Sequence, residues 1–299
     1  MAFLRQVYYS IKKTLKGKSS ALATAPANPT EKTIQSKTAY WQEEAWAKRH
    51  FKFAGERPHT FSIPILMRVL ECLPPKSRIL DVGCGHGRYS IPFAEQGHQV
   101  VATDVSEEML GILNNVKGPL EIETRVGDAH QMNAADAEFD VIFSNDFMGH
   151  FPDWPVLLKE QARVCKPGGR IIFSLAFKEH RELASKLPNK KDFLHDYTPE
   201  VGAKQPFWAA TDHDEIILAG AAAGLTLKAL HPLKTFHDSY IVGNVLGTED
   251  NSKFRGEFNE RLRDEPKVQE FYNWLELRFL QHLPFYSSNL TLVVFDKTA

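Results

Sequence analysis

Four stretches of this chain set a carboxylate or an amide at or near the end of an apolar run. Ser77 to Val82 carries Asp81 and runs into Gly83-Cys84-Gly85-His86-Gly87; Gln99 to Asp104 and Thr124 to Asp128 each close on a carboxylate; Phe139 to Asn145 closes on an amide. Carboxylates accept hydrogen bonds from hydroxyl and amino groups, at roughly 1.5–3 kcal/mol for a charge-assisted bond. The alternating glycines allow positive φ and leave no Cβ between backbone and ligand. A helix-compatible segment follows, so the turn would also bring backbone N–H groups and the positive end of a helix dipole against a polar ligand.

For these groups to meet, the runs must be neighbouring strands whose ends lie together, and the intervening sequence is suited to that. Tyr89 to Gln96 reads as a helix ended by Gly97. Ser106 is placed to cap the next helix, with Glu108 in its first turn. Asp153 starts a helix carrying Leu157, Leu158, Ala162 and Val164; Lys166-Pro167-Gly168-Gly169 breaks it ahead of a fifth strand, Arg170 to Leu175. Upstream, Phe61 to Leu73 reads as a helix stopped by Pro74-Pro75. Asp212 to Gly224 is a further helix, and Leu225 to Ala229 and Ser288 to Phe295 are strands. Strands alternating with helices, and apolar on both faces, predict an α/β fold with a mostly parallel, doubly wound Rossmann-like sheet. Ligands of such sheets bind outside the carboxyl ends of the strands, where Asp104, Asp128, Asn145 and the loop after Asp81 all fall.

The glycine spacing narrows the ligand. A dinucleotide loop asks for G-x-G-x-x-G, but here Arg88 stands where its third glycine would be. The run Asp81-x-Gly83-x-Gly85-x-Gly87 resembles motif I of the class I S-adenosylmethionine (SAM) methyltransferases. The resemblance continues through Val101-Ala102-Thr103-Asp104-Val105-Ser106, Gly127-Asp128-Ala129, Phe139-Asp140-Val141-Ile142 and Arg163-Val164-Cys165-Lys166-Pro167-Gly168-Gly169, and covers about Arg78 to Leu230. It implies a seven-stranded sheet of order 3-2-1-4-5-7-6 with the last strand antiparallel, SAM as cofactor, and a small-molecule methyl acceptor like those of quinone-biosynthesis enzymes. It implies roles too. Gly83, Gly85 and Gly87 let the backbone approach the methionine part of SAM, and Asp81 holds its ammonium. Asp104, followed by Val105, accepts the ribose hydroxyls; Asp128, with Ala129, takes the adenine amino group; Asn145 lies beneath the sulfonium. Arg88 either pairs with the SAM carboxylate or covers its helix.

SAM carries its own leaving group, so the reaction needs alignment more than covalent help. An acceptor that must lose a proton needs a base, and His150 is the first candidate, in Ser144-Asn145-Asp146-Phe147-Met148-Gly149-His150; Asp146 is the second. His180, His195, His213 and His237 lie in insertions that could approach the acceptor. The Asn/Asp-Pro-Pro-aromatic sequence of DNA and glutamine-amide methyltransferases is missing after strand four, which argues against those acceptors. The alternatives kept are a SAM-binding enzyme with other chemistry, a non-catalytic SAM-binding subunit and a protein methyltransferase.

The 299 residues suffice for one large domain with insertions or two small ones. A net charge of −1 gives no basic field for nucleic acid. Cys72, Cys84 and Cys165 are widely separated and form neither a disulfide framework nor a metal site, and no apolar run is long enough to cross a membrane; a cytoplasmic location fits. Residues 1–36 read as a basic amphipathic segment, with residues 1–18 suited to peripheral contact with anionic membrane, and a flexible linker. Residues 37–76 read as N-terminal lid helices, with Tyr40 and Trp41 placed to cover SAM. Residues 77–299 form the SAM-binding domain, with helical cap insertions at about 176–211 and 232–287. Phe207, Trp208, Phe271, Tyr272, Trp274, Phe285 and Tyr286 in these insertions suit either an apolar cap over an aromatic or lipid-like acceptor or a homodimer contact or private core made by the C-terminal helices.

Overall fold

The computed structural model describes residues 63–185, 209–236 and 251–298. Its strands are β1 (Arg78–Val82), β2 (Gln99–Asp104), β3 (Ile122–Val126), β4 (Phe139–Ser144), β5 (Cys165–Phe177), β6 (Ala210–Thr211), β7 (Leu225–Leu233) and β8 (Leu290–Lys297). Between them lie α1 (Ile63–Cys72), α2 (Ser90–Glu95), α3 (Glu107–Val116), α4 (Trp154–Val164), α5 (Lys178–Ser185), α6 (His213–Ala222), α7 (Asn251–Asp264) and α8 (Pro266–Trp274). The sheet runs β3-β2-β1-β4-β5-β8-β7, with the two-residue β6 joined to the end of β5. The two-residue β6 aside, this is the expected order of seven strands, and β8 is antiparallel to both β5 and β7.

Strand alternation divides the core between the two faces of the sheet. Leu80, Val82, Ile142 and Phe173 point to one side, where Leu157, Leu158 and Ala162 of α4 and Ile216 of α6 cover them. Ile79, Val141, Phe143 and Ile172 point to the other, against Ile65 and Val69 of α1, Phe93 of α2 and Leu110 and Leu113 of α3. Burying each of these large side chains contributes roughly 1.5–3 kcal/mol, which makes β1, β4 and β5 a firm base for whatever their ends carry.

Two expected boundaries shift for a physical reason. Thr124 to Asp128 was read as the third strand, but the ladder runs over Ile122–Val126 and leaves Asp128 in the loop beyond. Lys166-Pro167-Gly168-Gly169 ends α4 as read, yet it bulges within β5 instead of preceding it. Phe139 pairs with Cys165, Val141 already with Arg170, and the four residues between have no partner on β4. Gly168 turns there at φ 73°. Residues 1–62, holding the basic segment, the linker, Tyr40 and Trp41, lie outside the described residues, as do His195, Phe207, Trp208 and His237.

Candidate active site

The carboxyl ends of β1 to β4 open on a cavity of ≈ 500 Å³ whose lining includes Asp81, Gly83, Gly85, Asp104, Val105, Asp128, Ala129, Asn145, Asp146 and His150. The parallel register brings this about: Val82 stands beside Thr103, Thr103 beside Arg125, and Asp81 beside Phe143. Of the donor-site and base candidates read from the sequence, all but Gly87 line it. That glycine turns at φ 88°, and a Cβ on it would come within 2.3 Å of Leu113 Cδ1. It seats the loop on α3, whereas Gly83 (φ 68°) seats it against Phe147, 2.2 Å from where a Cβ would be.

The loop's own amides are engaged within the protein. Gly83 N and Cys84 N both donate to Thr103 O, at 2.9 and 3.1 Å, and Gly87 N donates to Cys84 O at 3.0 Å. Gly85 N donates to Asp104 Oδ2 at 2.9 Å, while Ser106 N donates to Asp104 Oδ1 at 2.9 Å. The helix that follows, α2, has six residues. The sequence suggested donors and a helix dipole turned on the ligand. The structure instead brings the ligand a bare backbone and a fixed carboxylate. A diphosphate cradle needs free amides and a longer helix behind them, so this loop is poorly made for a dinucleotide.

Of the carboxylates, Asp81 is buried, Asp104 is half-buried and Asp128 is exposed. Asp81 is 2% exposed and accepts from Ser90 Oγ at 2.5 Å. Burial raises its pKa to about 7, the Ser90 bond opposing and the neighbouring Asp104 adding to the rise. Asp104 is likewise raised by burial, against the pull of the Ser106 and Gly85 amides. Asn145 donates to Asp146 Oδ2 at 3.0 Å, and its own Oδ1 is buried without a hydrogen-bond partner. Asp146 sits at φ 52° with its amide donating to Ser174 Oγ at 2.8 Å. Buried acceptors left this way lower the stability of the empty protein and fit a ligand bearing an ammonium and hydroxyl donors.

His150 lies on the turn Met148–His150, largely buried, and lines the cavity. The other histidines read from the described insertions do not: His180 is packed away with Nδ1 on Tyr286 O at 2.9 Å, and His213 stacks on Phe285. Several lining residues carried no sequence signal, among them His86, Tyr89, Phe147, Phe151 and Lys234. Of the readings open for the aromatic insertions, the described members favour internal packing over a cap. Of its described members, Tyr272 is buried against Phe258, Phe285 packs on Phe177 and Tyr286, and Phe271 and Trp274 are 58% and 53% exposed; none lines the cavity. Helix α8 packs on α7 through Tyr272, which meets Phe258. Among the described residues no group of three or more His, Cys, Asp or Glu is placed to hold a metal ion.

Comparison with known proteins agrees with the resemblance. The model of a methyltransferase domain matches residues 80–173, from β1 into β5. That stretch is similar to the donor-binding part of class I SAM-dependent methyltransferases. SAM is the cofactor this similarity implies, and the cavity fits it: the volume lies in the range of small-ligand sites, and Asp81 and Asp104 face it as acceptors. The domain is 32% identical over 104 residues to a ubiquinone biosynthesis O-methyltransferase of Xanthomonas axonopodis, covering 34% of this chain and 44% of that protein. The chain thus spans less than half of that curated relative. An uncharacterized protein of Mycobacterium tuberculosis is 29% identical over 206 residues, 66% of this chain and 72% of its own. Among solved structures, the complex of the Haloferax volcanii Trm112 methyltransferase activator with a methyltransferase contains a chain of the same fold. It matches at TM-score 0.57 and 17% identity, over 86% of this chain and 96% of that one.

Proposed function

We propose that this protein transfers the methyl group of SAM to an oxygen, nitrogen or carbon of a small molecule, aromatic or lipid-like, by in-line displacement. The observation that carries the proposal is the convergence of Asp81, Asp104, Asp128 and Asn145, from four separate strand ends, on one cavity. SAM supplies a methyl group on a sulfonium, hence its own leaving group. Asp104 accepts the ribose hydroxyls with the lone pairs left beside its two amide bonds. Asp128 and Ala129 take the adenine edge, and Val105 lies along the nucleoside. Asp81 meets the ammonium, with Ser90 fixing its carboxylate. Gly83 and Gly85 give the methionine chain room, and Asn145 offers its unpartnered oxygen beneath the sulfonium. His150 serves as general base for an acceptor that must lose a proton. Asp146, held in a left-handed conformation beside Asn145, is the second candidate.

Relatives of this domain that methylate ubiquinone precursors support a small-molecule acceptor. Peripheral membrane contact through residues 1–18, a homodimer and a cytoplasmic location are kept as proposals; among the described residues no helix is long and apolar enough to cross a membrane. The test is incubation of the full-length protein with methyl-labelled SAM and fractionated small-molecule extract. Label should appear in a small product with wild type and vanish with Asp104→Ala. SAM bound by calorimetry but no label transferred would point to other chemistry on the same fold, and no SAM binding would sink the reading altogether.

A further inference from the structure

Two residues past Asp128, His130 stands between two carboxylates at the rim of the cavity. Its Nδ1 lies 2.7 Å from Asp128 Oδ1, and its backbone N–H donates to the same oxygen at 2.9 Å. Its Nε2 lies 3.2 Å from Asp153 Oδ2. The Asp153 side chain is 10% exposed, its Oδ1 is buried without a partner, and it makes no side-chain cap bond to α4, the helix it precedes. A buried carboxylate with one partner needs that partner charged. Both ring nitrogens therefore act as donors, and the ring is an imidazolium. The pKa agrees: the Asp153 bond, with Asp128 in support and burial opposing, raises His130 to about 9. The ring also stands edge-on to Phe151 at 5.3 Å, and Phe151 lines the cavity and packs on Phe147.

We infer that His130 is a positioning residue for recognition of the adenine base. Clamped by the buried Asp153, it pins one oxygen of Asp128 and turns the other toward the exocyclic amino group, while its ring fixes Phe151 along the base. Asp128 needs such help because its side chain is 47% exposed and would otherwise sample several rotamers. The inference rests on the SAM reading above and adds base selectivity to it. Asp128 and Asp153 are the charged groups facing the ring, so no other titration competes near neutral pH.

The test compares S-adenosylhomocysteine with its inosine analogue, in which an oxo group replaces the adenine amino group, by calorimetry on the full chain. Wild type should prefer the adenine form. His130→Asn, which cannot bridge both carboxylates, should weaken S-adenosylhomocysteine about tenfold, the equivalent of one charge-assisted hydrogen bond. It should change the inosine analogue by less than about twofold, so the preference shrinks by nearly the full factor. Asp153→Asn keeps the shape at α4 and should move the preference in the same direction by less. It should also lower the His130 pKa read from its ring proton shifts by NMR. Equal weakening of both ligands by His130→Asn, or an unchanged preference and ring pKa in Asp153→Asn, would overturn the inference. Failure of the wild-type protein to bind S-adenosylhomocysteine would overturn the SAM reading with it.

Discussion

The two halves of the sheet are built to different rules. From β1 to β4 each strand has a polar residue within two positions of its end, Asp81, Asp104, Asp128 and Asn145, and all four line the cavity. From β5 onward the strands are as well buried, with Phe173, Leu292, Val293 and Phe295 inaccessible to solvent. Yet of the described residues in this half, Lys234, just past β7, is the one that lines the cavity. The first half carries the spacing that resembles a SAM site; the second carries no comparable motif.

The sharpest way to break this contrast is His150. If it removes the acceptor proton, His150→Ala should lower kcat by about 10²–10⁴-fold with SAM affinity unchanged, measured by labelled-methyl transfer; a fall in SAM affinity instead would move His150 to the donor side. Next comes Asp104→Ala, expected to weaken SAM by about 10- to 100-fold in calorimetry. Asp81 follows, with two opposed effects. Its carboxyl is raised to about 7, above its unfolded value, so its contribution to stability is fully present at low pH and is lost as pH rises toward 7. An ammonium prefers the carboxylate, so SAM affinity should climb over that same interval. Asp81→Asn should therefore raise the melting temperature of ligand-free protein at pH 7.5 by several degrees, at roughly 2–4 °C per kcal/mol, while weakening SAM and flattening its pH dependence. The smallest effect belongs to Trp274→Ala. Exposed and away from the cavity, it should shift stability by less than about 0.5 kcal/mol in denaturant unfolding and leave SAM binding untouched. A loss of turnover there would restore a cap role for α8.

The donor half was legible because its residues act near their place in the chain. Asp81 to Gly85, Asp104 with Val105, and Asp128 with Ala129 each stand near a strand end that opens on the cavity, so the strand pattern locates them and the family resemblance supplies their expected roles. Gly87 has the right spacing and a different task, holding the loop on Leu113; sequence cannot separate a glycine needed for a ligand from one needed for a helix. His130 was missed because its meaning comes from Asp153, 23 residues on, and from a shared burial that no local pattern records. The aromatics of α8 stayed open between cap, dimer contact and private core because an amphipathic stripe says that something is covered and leaves open which surface it covers.

The engaged amides of the glycine loop carry a consequence for selectivity in a cell. SAM shares its adenosine with ATP and with nicotinamide and flavin dinucleotides, so a pocket that recognised the nucleoside alone would spend much of its time occupied by the wrong molecule. Here Gly83, Cys84, Gly85 and Gly87 have already given their N–H groups to Thr103, Asp104 and Cys84. A phosphate chain attached at the ribose would meet no backbone donor from these four and would face the Asp81 carboxylate instead. The same hydrogen bonds that close the turn thus leave a phosphate chain without the amides that a dinucleotide loop offers.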